Sequence, residues 1–167
     1  NYHENSSIIK SFERGELKPK EFFYKITNEL NSSIAFNNFK NYYCNIFTLN
    51  KDVEKLIKNL KKDFRLILLS NTDKLHFDHI KNKFKVINSF DEYVLSYRFG
   101  YRKPNPLIFL NALRKAKTMP YNCLYFDDII EFVYAARLLG IKAFQYKNFE
   151  KLVKDLNNSN VLRAVRK

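Results

Sequence analysis

Three groups of residues in this chain carry chemistry that an ordinary surface or core does not require. Ser70, Asn71 and Thr72 follow directly on the apolar run Leu66-Ile67-Leu68-Leu69. Asp127 and Asp128 follow directly on Cys123-Leu124-Tyr125-Phe126. Between them, Lys103 stands before Pro104 in Gly100-Tyr101-Arg102-Lys103-Pro104. Adjacent carboxylates repel one another unless a cation compensates, and hard oxygen ligands of this kind suit Mg²⁺. A lysine ahead of a proline is held in extended backbone, which lets it aim its ammonium at an anion or at the Asp pair. Ser70 and Asn71 carry donors for phosphate oxygens. Each group also has an everyday alternative. Asp127-Asp128 is a plausible helix N-cap pair, Ser70 and Asn71 are plausible caps for a helix from Asp73, and a lone lysine in a loop is usually solvated. In combination, a hydroxyl, an ammonium and a carboxylate pair on three successive units of one sheet make a site for a phosphorylated ligand and Mg²⁺.

The elements that must position these groups can be read from periodicity. Four consecutive aliphatics at 66–69 predict a strand buried on both faces, as in a parallel sheet with helices above and below. Residues 123–126 and 141–146 predict two more buried strands, and 93–96 a short one. Helices are predicted over 51–60, 73–83, 104–117, 130–139 with Gly140 as its C-cap, and 149–156. In the first of these, Val53, Leu56, Ile57 and Leu60 recur at i, i+3, i+4, i+7. Strands alternating with helices imply βαβ units, hence an α/β fold with a Rossmann-like parallel sheet and helices on both faces. Such sheets carry their chemistry at the carboxyl ends of their strands, where all three groups fall. The strands at 65–69, 123–127 and 141–146 are expected to share one sheet. Residues 8–47 read differently: Pro19 and Glu21 mark a helix start, Phe22, Phe23, Ile26 and Leu30 follow at helical spacing, and Phe36, Phe39, Tyr43 and Phe47 resume it. These aromatics read as a small helical core, not a cofactor box.

The 167 residues suffice for one domain with a real core, or one domain with a small insert. Thirty basic against 17 acidic residues leave a net charge of +13. The lysines are spread over nearly every segment and the tail Arg163, Arg166, Lys167 is short, so the charge reads as a compositional bias and nucleic acid is not the expected partner. No run approaches the roughly 18 apolar residues of a membrane span, and no signal peptide opens the chain. Cys44 and Cys123 form no paired motif and read as small buried hydrophobes in a reduced, cytoplasmic protein.

Leu68-Leu69-Ser70-Asn71-Thr72, Gly100-Tyr101-Arg102-Lys103-Pro104-Asn105-Pro106 and Tyr125-Phe126-Asp127-Asp128 resemble, in order and spacing, motifs two, three and four of the haloacid dehalogenase superfamily. Phe12-Glu13-Arg14-Gly15-Glu16 resembles a stretch in the helical cap of the branch that holds bacterial sugar-phosphate phosphatases and the N-terminal phosphatase domain of soluble epoxide hydrolase, and His76 is common in that branch. The resemblance covers nearly the whole chain. It implies a helical cap over residues 1–48 and an α/β core over 49–167. It implies a Mg²⁺-dependent phosphatase of a small phosphorylated metabolite, such as a sugar phosphate, working through an aspartyl-phosphate. Ser70 with Asn71 would bond the transferring phosphoryl group, Lys103 would steady its charge, Asp128 would ligate Mg²⁺, and Asp127 would hold Lys103 or complete the metal's surroundings. A dehalogenase and a non-catalytic binding module are the alternatives.

Two departures from the family pattern stand out. The family's nucleophile is an Asp at the end of a first strand, and nothing before Ser70 matches it. With no Met at position 1, the chain is expected to be a fragment that begins inside the cap, lacks that central strand and is inactive alone. Second, many relatives carry Asn four residues after the second Asp of motif four, where this chain has Phe132, preceded by Glu131.

Overall fold

The computed structural model describes residues 7–161; the polar opening at 1–5 and the basic tail Arg163, Arg166, Lys167 lie outside them. Three helices come first, α1 (Ser7–Glu13), α2 (Pro19–Glu29) and α3 (Phe36–Cys44). Helix α2 starts where expected: Pro19 presets φ at its first position and the Glu21 carboxylate accepts the Lys18 N–H at 2.7 Å. Phe12 stacks on Phe22 with ring centroids 4.1 Å apart. With Ile26, Cys44 and, from a later helix, Leu75, these residues form a buried apolar cluster. Leu30 shares the helical spacing but is 51% exposed. It lies past the last residue of α2, where the chain no longer follows the helical face.

Helix α4 (Lys51–Leu60) is capped by the Asn50 side chain, which accepts the N–H groups of Asp52 and Val53. Then follow β1 (Ile67–Ser70), α5 (Lys74–Lys83), β2 (Glu92–Leu95), α6 (Ser96–Phe99), α7 (Pro106–Ala116), β3 (Leu124–Asp127), α8 (Ile130–Leu138), β4 (Lys142–Gln145) and α9 (Phe149–Asn158), with short 3₁₀ turns at Lys85–Ser89 and Pro120–Asn122. A core of Val94, Ile108, Phe109, Val133, Ala136, Ile141 and Ala143 packs α7 and α8 against the strands.

The strands are parallel, as expected, but they do not form one hydrogen-bonded sheet. β1 pairs with β2, from Ile67 opposite Glu92 to Ser70 opposite Leu95, and β3 pairs with β4, from Leu124 opposite Lys142 to Asp127 opposite Gln145. The backbone bonding shows where each pair ends. The carbonyls of Cys123 and Asp127 accept from Lys142 and Tyr146 on the β4 side, so the intervening Leu124 and Phe126 turn their backbone groups the other way. On β1, Leu66 accepts from the β2 side, whereas the Leu69 carbonyl accepts from the side chain of Lys103. The β1 edge of one pair and the β3 edge of the other are therefore without a strand partner among the described residues. For the same reason β1 and β3 are half-buried and not fully buried. Cys44 is buried and Cys123 only half-buried, and both are free thiols. Among the described residues no helix is long and apolar enough to cross a membrane.

The N-terminal helices press on the sheet-bearing part at one glycine. Gly15 has φ +75°, and a Cβ there would lie 2.1 Å from the Tyr97 carbonyl oxygen. Gly15→Ala is therefore expected to cost about 2–5 kcal/mol, combining left-handed strain with overpacking against a backbone. A urea midpoint unchanged from that of the parent would contradict this close approach.

Candidate functional site

The carboxyl ends of β1 and β3 meet around Lys103, whose residue is only 8% exposed. Its ammonium donates to Asp127 Oδ2 at 2.5 Å and more weakly to the Leu69 carbonyl at 3.4 Å, and so bridges the open edges of the two strand pairs. Its position is fixed by Asn71, which grips the Lys103 backbone twice. Asn71 Nδ2 donates to the Lys103 carbonyl at 3.0 Å, and the Lys103 N–H donates to Asn71 Oδ1 at 2.7 Å. The Asn71 side chain is thus engaged with the lysine loop and not turned to a ligand. The Ser70 hydroxyl has only a long contact, 3.4 Å, to the Asn71 carbonyl. Ser96 ties this loop to β2: its buried hydroxyl accepts the Thr72 N–H and donates to the Thr72 carbonyl, both at 2.9 Å.

The two aspartates are in different surroundings. Asp127 Oδ2 also accepts from the Tyr125 hydroxyl, and Oδ1 accepts the Ile129 N–H at 3.0 Å. Burial alone would raise the Asp127 pKa, but the Lys103 ammonium, with the Tyr125 and Ile129 bonds, outweighs it and holds the carboxyl below its ordinary value. Burial first, and the bond to Asp127 second, push the Tyr125 hydroxyl up, so it stays protonated as a donor. Asp128 is exposed. Among the described residues nothing bonds its carboxylate, while its backbone carbonyl accepts from Gln145 Nε2 at 2.9 Å. Neither Asp, nor Ser70 or Asn71, serves as an ordinary helix cap: α5 is capped by Asp73, which accepts the His76 N–H at 2.9 Å, and Ile129 begins α8 without a side-chain cap.

A metal at this edge would find one free carboxylate, that of Asp128, because both oxygens of Asp127 are engaged. Among the described residues no group of three or more His, Cys, Asp or Glu gathers to hold an ion. That donor set does not fit Zn²⁺. It does fit Mg²⁺, which keeps several waters and binds through one or two carboxylates plus substrate phosphate oxygens.

A second polar cluster joins the N-terminal helices to the sheet-bearing part, and sequence reading found only some of its members. The Tyr43 hydroxyl donates to Asp73 Oδ2 at 2.8 Å. His76 stacks on Tyr43 with centroids 4.1 Å apart. Its Nδ1 lies 3.0 Å from Asp73 Oδ2 and its Nε2 2.8 Å from the Tyr43 carbonyl oxygen. Nearby, Glu13 of α1 forms an ion pair with Arg102, the neighbour of Lys103. Burial raises the Glu13 pKa by more than Arg102 lowers it. Both His76 nitrogens face acceptor oxygens, so only the imidazolium satisfies both. Burial disfavours that charge, but Asp73, the Tyr43 carbonyl and Glu13 overcome it, and the His76 pKa is raised. A raised folded pKa gives stability that is complete below the unfolded value near 6.5 and is lost as pH rises through the folded value. Between pH 6 and pH 9 the chain is expected to lose more stability than its His76→Gln variant. The variant keeps Asp73 and Glu13, so the difference reports the His76 charge together with its pull on those carboxylates. Equal losses in urea titrations of the two would contradict the imidazolium.

Comparison with known proteins shows the family. The family model described as haloacid dehalogenase-like hydrolase matches residues 10–140, a span that includes Ser70, Lys103, Asp127 and Asp128. D-ribitol-5-phosphate phosphatase of Bacteroides thetaiotaomicron is 27% identical over 155 residues, covering 88% of this chain and 74% of the relative. A crystal structure of a HAD family enzyme from the same organism, in complex with magnesium and inorganic phosphate, superposes with a TM-score of 0.79 at 25% identity, covering 87% of this chain and 78% of that one. An L-2-haloacid dehalogenase shares the fold at a TM-score of 0.63 and 18% identity, over 81% of this chain and 61% of that one.

Proposed function

We propose, for a chain that belongs to the haloacid dehalogenase-like hydrolase family, a Mg²⁺-dependent phosphatase of a small phosphorylated metabolite, in the class of sugar and polyol phosphates. The observation that carries this reading is Lys103, its ammonium held by Asp127 and its backbone by Asn71, with an unengaged carboxylate, Asp128, next in sequence to Asp127. Phosphoryl transfer is mostly positioning plus stabilisation of charged oxygens, and this edge is built for both. Lys103 faces the phosphoryl charge, the Ser70 hydroxyl donates to a phosphoryl oxygen, and Asn71 acts through Lys103. Asp128 holds Mg²⁺, which when bound would neutralise phosphate charge. Asp127 holds Lys103 and stays out of the metal's coordination. The free Asp128 carboxylate favours a metal-dependent phosphatase over a dehalogenase. A cytoplasmic setting fits the two free thiols, and residues 1–48 act as the cap that selects the substrate.

The nucleophile, in this reading, is a carboxylate on a strand that lies between β1 and β3 and outside these 167 residues. The facing edges of β1 and β3 have no strand partner among the described residues, and a parallel strand placed there would end beside Lys103. Its carboxylate oxygen would bond to phosphorus as the ester oxygen leaves, and water would then release phosphate from the acyl-phosphate. The test is phosphate release from ribitol 5-phosphate and a panel of sugar phosphates, comparing the chain alone with the same residues joined to the coding sequence ahead of Asn1. Mg²⁺-dependent turnover by the longer protein only is the expected result. Turnover in excess chelator would overturn the metal, and comparable turnover by the chain alone would overturn the placement of the nucleophile.

A further inference from the structure

An ammonium has three N–H donors and no acceptor. Two of those at Lys103 go to Asp127 Oδ2 and the Leu69 carbonyl. Two aromatic rings lie beside it: the ammonium is 4.9 Å from the centroid of Phe132 and 5.8 Å from that of Tyr125. Phe132 sits in the first turn of α8, where its N–H donates to the Ile129 carbonyl at 3.1 Å, and its side chain packs against the main apolar cluster. Both ends of the contact are thus held: the ring by the core, the ammonium by Asp127.

An aromatic face attracts a cation through its quadrupole, most strongly where water is excluded. Unlike an amide or hydroxyl, it offers no lone pair that would engage the third N–H. We infer that Phe132 is a positioning residue for Lys103, its ring steadying the ammonium while leaving one donor free for a phosphoryl oxygen. A polar residue here would engage the lysine by hydrogen bonding instead. The inference rests on the phosphatase reading for its purpose, but the contact itself can be measured without turnover.

The experiment replaces Phe132 with Leu, Tyr, Trp, 4-fluorophenylalanine and pentafluorophenylalanine. It reads the rate at which a small acylating reagent modifies Lys103 against exposed lysines of the same chain, by peptide mass spectrometry. Fluorination drains the ring face with little change of shape, so misfolding does not confound that pair of variants. Leu and pentafluorophenylalanine are expected to speed Lys103 modification by about tenfold, 4-fluorophenylalanine by less, and Tyr and Trp to stay within about twofold of the parent. Equal rates for Phe and pentafluorophenylalanine, or Tyr and Trp as fast as Leu, would overturn the inference. In the active protein, the same variants should lower kcat more than they raise KM, with Trp rescuing where Leu does not. If no variant or parent turns over any phosphate ester, the phosphatase reading fails while the labelling series still decides the contact.

Discussion

Lys103→Met is expected to lower phosphate release by about a hundred- to a thousandfold, the loss typical of removing one preorganised donor from developing charge, and to destabilise the fold as well. Methionine keeps most of the stem's volume, so packing is little changed. What is lost is the cation. Asp127 would then keep the Tyr125 and Ile129 donors but face no positive charge. The two side chains are 8% and 7% exposed, and removing one partner of a buried pair typically costs about 3–5 kcal/mol because it strands the other. Lys103→Arg keeps the charge but replaces a point donor with a planar fork, in a pocket closed by Asp127 and two rings. It should restore much of the stability and little of the activity. The pairing also has a pH signature. The Asp127 pKa is depressed in the fold, so this contribution is present above the ordinary carboxylate value near 3.9 and is lost as pH falls through the folded value. Urea titrations at neutral and acid pH, beside phosphate release, would check both. A methionine variant with parental stability at pH 7 would show that the pair does not hold these strands together.

The residues of the candidate site stood out in the sequence because they interrupt patterns. Ser70 and Asp127 each end an apolar run, and a parallel strand that ends in polar groups has few structural reasons to do so. The strands and most helices were legible from periodicity for the same reason. What could not be read were relations between distant segments. Asn71 grips Lys103 across 32 positions, and local sequence carries no sign that an amide will spend itself on a backbone. Ser96, read as the last residue of a strand, is a tie to Thr72 that depends on the register of β1 and β2. Tyr43 looked like one more aromatic on a helical face, because its partner Asp73 lies 30 positions on. The single sheet expected from three apolar runs became two pairs. Periodicity reports that a strand is apolar, but not which strand lies beside it.

Asp128→Ala should separate function from fold more sharply than any other substitution here. The carboxylate is exposed, and nothing among the described residues bonds it. Its adjacent Asp127 carries negative charge, held by Lys103. Removing Asp128 therefore takes away no contact of the fold and relieves carboxylate repulsion, so stability should stay within about 0.5 kcal/mol of the parent. Activity should fall by three orders of magnitude or about that, since a metal that clamps phosphate charge is worth several kcal/mol to the transition state. Asp128→Asn should do nearly the same, because an amide offers Mg²⁺ an oxygen but no charge. Asp127→Asn separates the two roles. It should strand Lys103 and lower stability, while Mg²⁺ affinity changes little if Asp127 serves only the lysine. Mg²⁺ titrations by calorimetry on all three variants, in the presence of inorganic phosphate, would read the assignment directly. Loss of Mg²⁺ binding in Asp127→Asn with retention in Asp128→Ala would reverse it, making Asp127 the metal ligand and leaving Asp128 an ordinary surface carboxylate.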